Sequence, residues 1–422
     1  MPYKTLDEWL DYQLGLYVEE IDLGLERVKE VALRLDILNP DLKIITVGGT
    51  NGKGSTVALV ESILCNAGFT TGTFTSPHLL RYTERIKLNN AEISISEVIA
   101  HFELIEKARG DIKVTYFEFA ALAAMLAFIN HKIQVAVLEV GLGGRLDATN
   151  IWDADVAIVT NIGLDHQKWL GHTKEQIAVE KAGIFRKDKL AIIGDSDPPV
   201  TLLQQAASSG AYTKLSGRNF DIKRHKESWD LSFNNKTYKN LKLPNITGEV
   251  QLINAACAIL AVSSLGENIS TEQINAGLSN VKIQARLQTF KAADRNWLLD
   301  VAHNPESVKV LAYYLAQNPG KGTTIALFAM LEDKDIDEVI KIMQSHIDIW
   351  CVLNIASGRA MSTSKISESL SAIVSGKVTV YNDANIAVAS IVEFSKAKDR
   401  IVVFGSFYTV GAVMNALRGL NV

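Results

Sequence analysis

Apolar residues recur along this chain in two alternating patterns. In GLERVKEVALRL, Leu25, Val28, Ala32 and Leu35 share one helical face, and Thr5 with Glu8 has capping-box spacing ahead of another apolar helix. Two helices are therefore expected before the first strand. KIITV (43–47) is a short apolar run that enters a glycine-rich turn, and STVALVESILCNAG continues as a helix that Gly68 stops. IQVAVLEV (133–140) and DVAIVTNI (155–162) are apolar nearly throughout, as parallel strands covered on both faces must be. This alternation predicts a doubly wound α/β domain. Polar residues gather where its strands end: SPH at 76–78, Glu139, and DH at 165–166. In open α/β sheets that end binds ligands.

From about 218 to 243 polar and apolar residues alternate around Asn234 and Asn235, the pattern of a small β hairpin appended to the sheet. A helix containing QLINAACAILAVSSL (251–265) follows. After about residue 287 the alternation begins afresh with WLLDVA, ESVKVLAYYLAQ, TTIALFAM, DIDEVIKIMQ, IWCVLNI, KISESLSAIV, KVTVY, NIAVASIVEF, RIVVFGS and a final helix. The expected division is an N-terminal domain over 1–286, carrying the small β insertion, and a smaller Rossmann-like α/β domain over 287–422. There is no internal repeat.

A length of 422 residues with 47% hydrophobic content supports two cores of this kind. The net charge of −4 lacks the basic excess that a nucleic-acid backbone demands, so small molecules are the expected partners. The longest apolar run, FAALAAMLAFI (119–129), is too short to span a bilayer, and the amino terminus has no signal-like core. A cytoplasmic protein, monomeric, without membrane or nucleic-acid partners, is expected. Cys65, Cys257 and Cys351 form no CxxC pair and read as small hydrophobes.

TVGGTNGKGST (46–56) departs from the P-loop pattern GxxxxGK[ST]: Val47 stands at the first glycine, Gly54 at the hydroxyl, and Ser55 arrives one residue late. A glycine-rich turn can be structurally innocent. A lysine inside it, followed by a helix N-terminus, nevertheless combines cation, backbone donors and dipole, which favours phosphate held by Gly52, Lys53, Gly54 and Ser55. A nucleotide there needs a divalent cation with oxygen ligands. Ser76, Glu139 and His166 are candidates from three segment ends, although each taken alone is more often a solvated loop residue or a structural histidine. The glycines of EVGLGGRLDATN (139–150) imply close backbone approach to a neighbour.

GTNGKGS, TSPHLLRYTERI, TYFEF, LEVGLGGRLDATN, NIGLDH, EKAGIFR, DVAHNP and GSFYTVG together resemble the folylpolyglutamate synthases, more narrowly the bacterial bifunctional dihydrofolate synthase type of the Mur ligase superfamily. The resemblance spans nearly the whole chain in order. In that family GKG precedes the hydroxyl, so the odd loop is its signature. The resemblance implies a P-loop-containing ATPase domain and a C-terminal ligase domain. It implies ATP-dependent addition of L-glutamate to dihydropteroate and to reduced folates, through an acyl phosphate. Carried over by position, Lys53 and its neighbours hold the triphosphate, Ser76 and Glu139 ligate one Mg²⁺, and His166 ligates a second. Lys181 is a lysine that the family carbamylates, and Lys53, Lys181 and His166 form the catalytic set. Asn254, Arg286 and Asp300 match nucleotide contacts. His303 and Ser406 match the glutamate end, where Tyr408 replaces a histidine. Gln284 and Ala285 replace the usual Pro-Gly ahead of Arg286.

Asp22, Leu23 and Gly24 within IDLGLERV (21–28), Thr115, Tyr116, Phe117 and Glu118, and Leu146, Asp147 and Ala148 match a pterin pocket. Phe117 can stack on a flat heterocycle and Asp147 can accept its amino and ring hydrogens, while the plain alternative for Phe117 is ordinary core. Three rivals are a monofunctional folylpolyglutamate synthase, a peptidoglycan Mur ligase and a non-catalytic nucleotide-binding regulator. The pterin-pocket match opposes the first, TYFE and LGGRLDATN the second, and the complete metal and phosphoryl-transfer set the third.

Overall fold

The computed structural model describes residues 3–16, 22–266, 269–376 and 378–420. They form two compact units. The first takes the chain up to Gly163 together with Leu170–Asn245 and Glu249–Lys282, and the second takes Leu164–Trp169, Ile246–Gly248 and the chain from Ile283.

In the first unit, strands β1 (Lys43–Gly48), β2 (Thr71–Phe74), β3 (Ile86–Leu88), β4 (Ala91–Glu92), β5 (Val135–Glu139), β6 (Val156–Val159), β7 (Leu190–Ile193) and β8 (Tyr212–Leu215) make one sheet in the order β4-β3-β2-β5-β1-β6-β7-β8. The six strands from β2 to β8 in that order run parallel, and β3 and β4 add an antiparallel edge. β5 and β6 are buried at every position, which is why their sequences are unbroken apolar runs. The capping box at the first helix is present: Glu8 N donates to Thr5 Oγ1 at 3.3 Å and Thr5 N to Glu8 Oε2 at 3.0 Å. In the helix Glu26–Arg34, Val28 and Ala32 are buried as the period requires.

The segment expected as a hairpin has one strand more. β9 (Phe220–Arg224), β10 (Ser228–Phe233) and β11 (Lys236–Lys242) form a separate three-stranded antiparallel sheet, ordered β11-β10-β9. Asn234 and Asn235, both at positive φ (50° and 58°), turn β10 into β11. Phe220, Trp229, Leu231, Tyr238 and Leu241 are its buried residues. FDIKR shares the alternation, but the HKE segment (225–227) that separates it from β10 has no Gly, Pro, Asn or Asp to mark a turn.

In the second unit, β12 (Gln288–Ala292), β13 (Arg295–Leu299), β14 (Thr324–Phe328), β15 (Ile349–Leu353), β16 (Val378–Tyr381) and β17 (Arg400–Phe404) form a sheet in the order β12-β13-β17-β14-β15-β16. Only β12 is antiparallel to its neighbour. Lys377, the first residue of KVTVY, lies outside the described residues. The mixed α/β class with a parallel-sheet unit at each end of the chain agrees with the sequence pattern. No helix among the described residues is long and apolar enough to cross a membrane.

Candidate functional site

The glycine loop leaves β1 and passes into the helix Lys53–Asn66, whose N-cap is Gly52. Gly52 has φ 84°, and a Cβ there would meet Asn254 Oδ1 at 3.0 Å, so the loop and the helix Val250–Ser263 approach closely only because the residue is glycine. Gly49, at φ 135°, has no room for a Cβ, which would fall 1.8 Å from Thr160 Oγ1. The loop is pinned to the end of β6: Asn51 N donates to Asn161 Oδ1 at 2.8 Å, Thr50 N to Asn161 O at 3.0 Å, and Thr160 Oγ1 to Asn51 O at 2.6 Å. Lys53 Nζ curls back onto the carbonyls of Gly49 and Thr50, at 3.2 and 3.3 Å. Ser55 Oγ is buried with no hydrogen-bond partner, an expensive state for a hydroxyl unless a ligand uses it.

Beside this loop the strand ends bring Glu139 and Ser76 together. Glu139 closes β5, and its Oε2 accepts Ser76 N at 3.2 Å. Lys181, buried in the last turn of the helix Lys174–Ala182, donates from Nζ to Gly49 O at 2.9 Å. That helix lies against the 139–150 segment through glycines: a Cβ on Gly144 would meet Glu180 O at 2.8 Å, and one on Gly183 would meet Arg145 Cα at 2.4 Å. The close approach implied by the glycines is thus to this helix and, at Gly141, to the Phe117 ring, 2.6 Å from a Cβ there.

Thr115 caps the helix Tyr116–Asn130 in a capping box with Glu118. Glu118 also accepts Arg27 Nε at 2.9 Å, and Arg27 Nη1 reaches Asp22 Oδ2 at 2.7 Å, so the 22–28 and 115–118 segments share one ion-paired network. Leu23 and Gly24 are half-buried on the same stretch, and Ile21 lies outside the described residues. Phe117 sits 5.5 Å from the Phe74 ring, and Tyr116 lies edge-on to Tyr82 at 5.8 Å. Asp147 is occupied by its own loop: Oδ1 accepts Thr149 Oγ1 at 2.6 Å and Thr149 N at 3.0 Å, and Oδ2 accepts Leu142 N at 2.8 Å. It caps the short helix Ala148–Ile151, next to half-buried Leu146, and burial raises its carboxyl above the usual aspartate value.

His166 belongs to the second unit, whereas Ser76, Glu139 and Lys181 belong to the first. It sits at φ 51° in a charged knot. Asp165 Oδ1 accepts Lys334 Nζ at 2.5 Å, and its Oδ2 accepts Asn304 Nδ2 at 3.0 Å and lies 3.5 Å from His303 Nε2. Asp333 Oδ2 is 3.5 Å from His166 Nδ1 without a hydrogen bond, and Asp333 Oδ1 accepts Arg359 Nη2 at 3.0 Å. Burial, above all, pushes the His166 imidazole down to about 3, so it is a neutral base able to ligate. Burial alone would raise Asp165, but the His303 imidazole and the Lys334 charge outweigh it and hold the carboxyl well below 3.8.

Asp333 and Lys334 were not singled out from the sequence, and Asp165 and Asn304 entered only within DH (165–166) and DVAHNP, without roles of their own. The signal was available, because LEDKD follows the buried run TTIALFAM just as the chosen polar residues follow theirs. In the same unit Asp300 accepts Leu287 N at 2.7 Å and Ala302 N at 2.8 Å, and the Arg286 guanidinium lies 5.3 Å from the Phe407 ring centre. His303 Nδ1 is 2.8 Å from Val301 O. Ser406 is buried and accepts Thr409 N at 3.0 Å at the start of the final helix, while Tyr408 is 43% exposed there.

Known proteins resemble this chain in sequence and fold. Residues 47–262 match the Mur ligase middle domain and residues 285–407 the Mur ligase glutamate ligase domain. The dihydrofolate synthase/folylpolyglutamate synthase of Escherichia coli is 40% identical over 414 residues, covering 98% of this chain and 96% of that one. The protein of the same description from Haemophilus influenzae is 37% identical over 427 residues, covering 96% of each. E. coli FolC in complex with DHPP and ADP superposes with a TM-score of 0.93 at 39% identity over 99% of both chains. A bifunctional folylpolyglutamate synthase/dihydrofolate synthase with Mn, AMPPNP and L-glutamate bound gives 0.91 at 39% identity over 98% of both.

Proposed function

The chain belongs to the Mur ligase family, in its dihydrofolate synthase/folylpolyglutamate synthase branch, and from that premise we propose how its own residues carry out the ligation. It is an ATP-dependent carboxylate-amine ligase that joins L-glutamate to dihydropteroate and to reduced folates. The observation that carries the assignment of residues is the convergence of the Lys53 loop, Glu139 with Ser76, and Lys181 at one end of a parallel sheet.

A substrate carboxylate attacks the γ-phosphorus of ATP, giving an acyl phosphate and ADP. The α-amino group of glutamate then adds to the acyl carbon, and phosphate leaves from the tetrahedral adduct. Gly52, Lys53, Gly54 and Ser55 hold the triphosphate by backbone donors and one ammonium, and Asn254, Arg286 and Asp300 are further nucleotide contacts. Such preorganised donors are each worth on the order of 3 kcal/mol in the transition state.

Divalent cations fit the donors present, since Ser55 offers a buried hydroxyl that lacks a partner among the described residues and the Glu139 carboxylate lies against the Ser76 backbone. Two Mg²⁺ are the proposed complement, one on Ser76 and Glu139 and one on His166, and when bound they neutralise phosphate charge. Lys181 is read as carbamylated. Its neutral amine adds to CO₂, the N–C bond forms and a proton is released, so a cation becomes an anionic oxygen ligand. The carbamate nitrogen keeps one N–H for Gly49 O.

Asp22, Leu23, Gly24, Thr115, Tyr116, Phe117, Glu118, Leu146, Asp147 and Ala148 are assigned to the pterin, and His303 and Ser406 to glutamate. A cytoplasmic monomer is the accompanying reading, and the three free thiols, of which Cys257 and Cys351 are buried, suit a reducing compartment. The test is ADP release measured with dihydropteroate, with glutamate, and with both. Release only with both is expected, and release independent of glutamate would sink the reading.

A further inference from the structure

We propose that Gln288 is a positioning residue for Arg286, holding that arginine in a turn whose backbone is left-handed on both sides. The proposal rests on the reading of Arg286 as a nucleotide contact. Ala285 has φ 55° and Leu287 has φ 44°. Neither is glycine, and L residues with side chains rarely adopt this region, so two within three residues persist only where the surroundings over-determine them.

The bonds that do so are few. Ala285 N donates to Gln288 Oε1 at 2.8 Å, Ala285 O accepts Val301 N at 3.1 Å, and Leu287 N donates to Asp300 Oδ2 at 2.7 Å. Ala285 and Leu287 are 0% and 4% exposed, so an amide that loses its acceptor there finds no water in exchange.

Gln288 is well placed for the task. It opens β12, paired with Leu299 of β13, so its backbone is fixed by the sheet while its side chain reaches back three residues to the turn. The arginine side chain takes its direction from that turn, because Nη1 donates to Ala285 O at 3.2 Å and Cζ lies 5.3 Å from the Phe407 ring centre. Freed from Gln288, the Ala285 amide would swing toward a conformation that alanine prefers, and Arg286 would swing with it. Asp300 already serves the other amides of the segment, Leu287 N and Ala302 N, and the Ala285 amide bonds to Gln288 instead.

The experiment measures ADP affinity by calorimetry in the presence of Mg²⁺, with melting temperature recorded for every variant. Gln288→Ala should weaken ADP binding roughly tenfold, as one buried amide loses its partner, and Gln288→Glu, which keeps length and acceptor, should return it to within about twofold. Gln288→Met keeps the volume without the amide oxygen, and should weaken binding like Gln288→Ala even if the alanine variant folds poorly. Arg286→Ala should weaken binding at least as much, and Arg286→Ala with Gln288→Met should be no weaker than Arg286→Ala alone. Full additivity, or wild-type affinity in Gln288→Met while Arg286→Ala is impaired, would overturn the positioning role alone. Wild-type affinity in Arg286→Ala would overturn the nucleotide role of Arg286, and the positioning role with it.

Discussion

Lys181 Nζ donates to the carbonyl oxygen of Gly49 at 2.9 Å, tying the last turn of the helix Lys174–Ala182 to the glycine loop. Under the proposed reading this lysine is carbamylated, since Glu139, Ser76 and Ser55 would supply only one carboxylate and two hydroxyls to cations that prefer anionic oxygen. Lys181→Ala is expected to lower turnover by about two orders of magnitude, the equivalent of about 3 kcal/mol, with partial recovery on adding short carboxylic acids. In the wild type, ¹³C-bicarbonate NMR should show a carbamate signal. An unmodified lysine in fully active enzyme refutes the modification.

Lys53→Ala should abolish ligation and leave the melting temperature nearly unchanged, because the Lys53 ammonium bonds to the loop carbonyls of Gly49 and Thr50 rather than to a core side chain among the described residues. Unchanged turnover would remove the loop from the site.

For Glu139→Gln, the informative measurement is activity across a Mg²⁺ titration. The amide preserves shape and removes charge, so half-maximal activity should require at least about tenfold more Mg²⁺, and a wild-type curve would place the ligand elsewhere.

Asp147 has two tasks that one substitution pair can separate. Asp147→Ala should lower stability by about 2 kcal/mol, because Thr149 N, Thr149 Oγ1 and Leu142 N lose their acceptor. Asp147→Asn keeps one carbonyl oxygen for the cap and should recover much of that stability. Both variants should lose activity toward dihydropteroate more than toward tetrahydrofolate. Equal losses would mean that the residue acts only through the loop.

The Asp165 carboxyl, held well below 3.8, stabilises the native state above the unfolded value, and that contribution disappears as pH falls through the folded value. Asp165→Asn should therefore cost about 2 kcal/mol at pH 7, where buried Lys334 loses its nearer carboxylate and keeps Asp333 at 3.3 Å, and the cost should shrink below about pH 4. Denaturant midpoints measured from pH 7 to pH 3 provide the check, and a constant difference would contradict the assignment.

How much of this could be read from the sequence depended on whether an interaction was local. β1, β5 and β6 were legible because strands buried on both faces leave unbroken apolar runs, and the Thr5–Glu8 and Thr115–Glu118 regions carry their caps within four residues. The Asp165–Lys334 pair was not, since its partners are 169 positions apart and neither residue's neighbours point to the other. Asp147 is the converse case. Its residue type suits a pterin, whereas the three bonds that it makes to its own turn follow from backbone angles that residue types alone do not specify.

The small sheet β9–β11 offers a handle for biophysical work. Its tip, Asn234 and Asn235, is exposed, belongs to a sheet separate from the larger one, and bonds to that larger sheet through Lys214 Nζ, which donates to Asn234 Oδ1 at 2.7 Å. A lanthanide-binding tag or a fluorophore grafted between these two asparagines would report on the first unit without touching its ligand-facing strand ends. Paired with a second label in the final helix, Phe407–Leu420, it would turn the separation of the two units into a ruler readable during turnover.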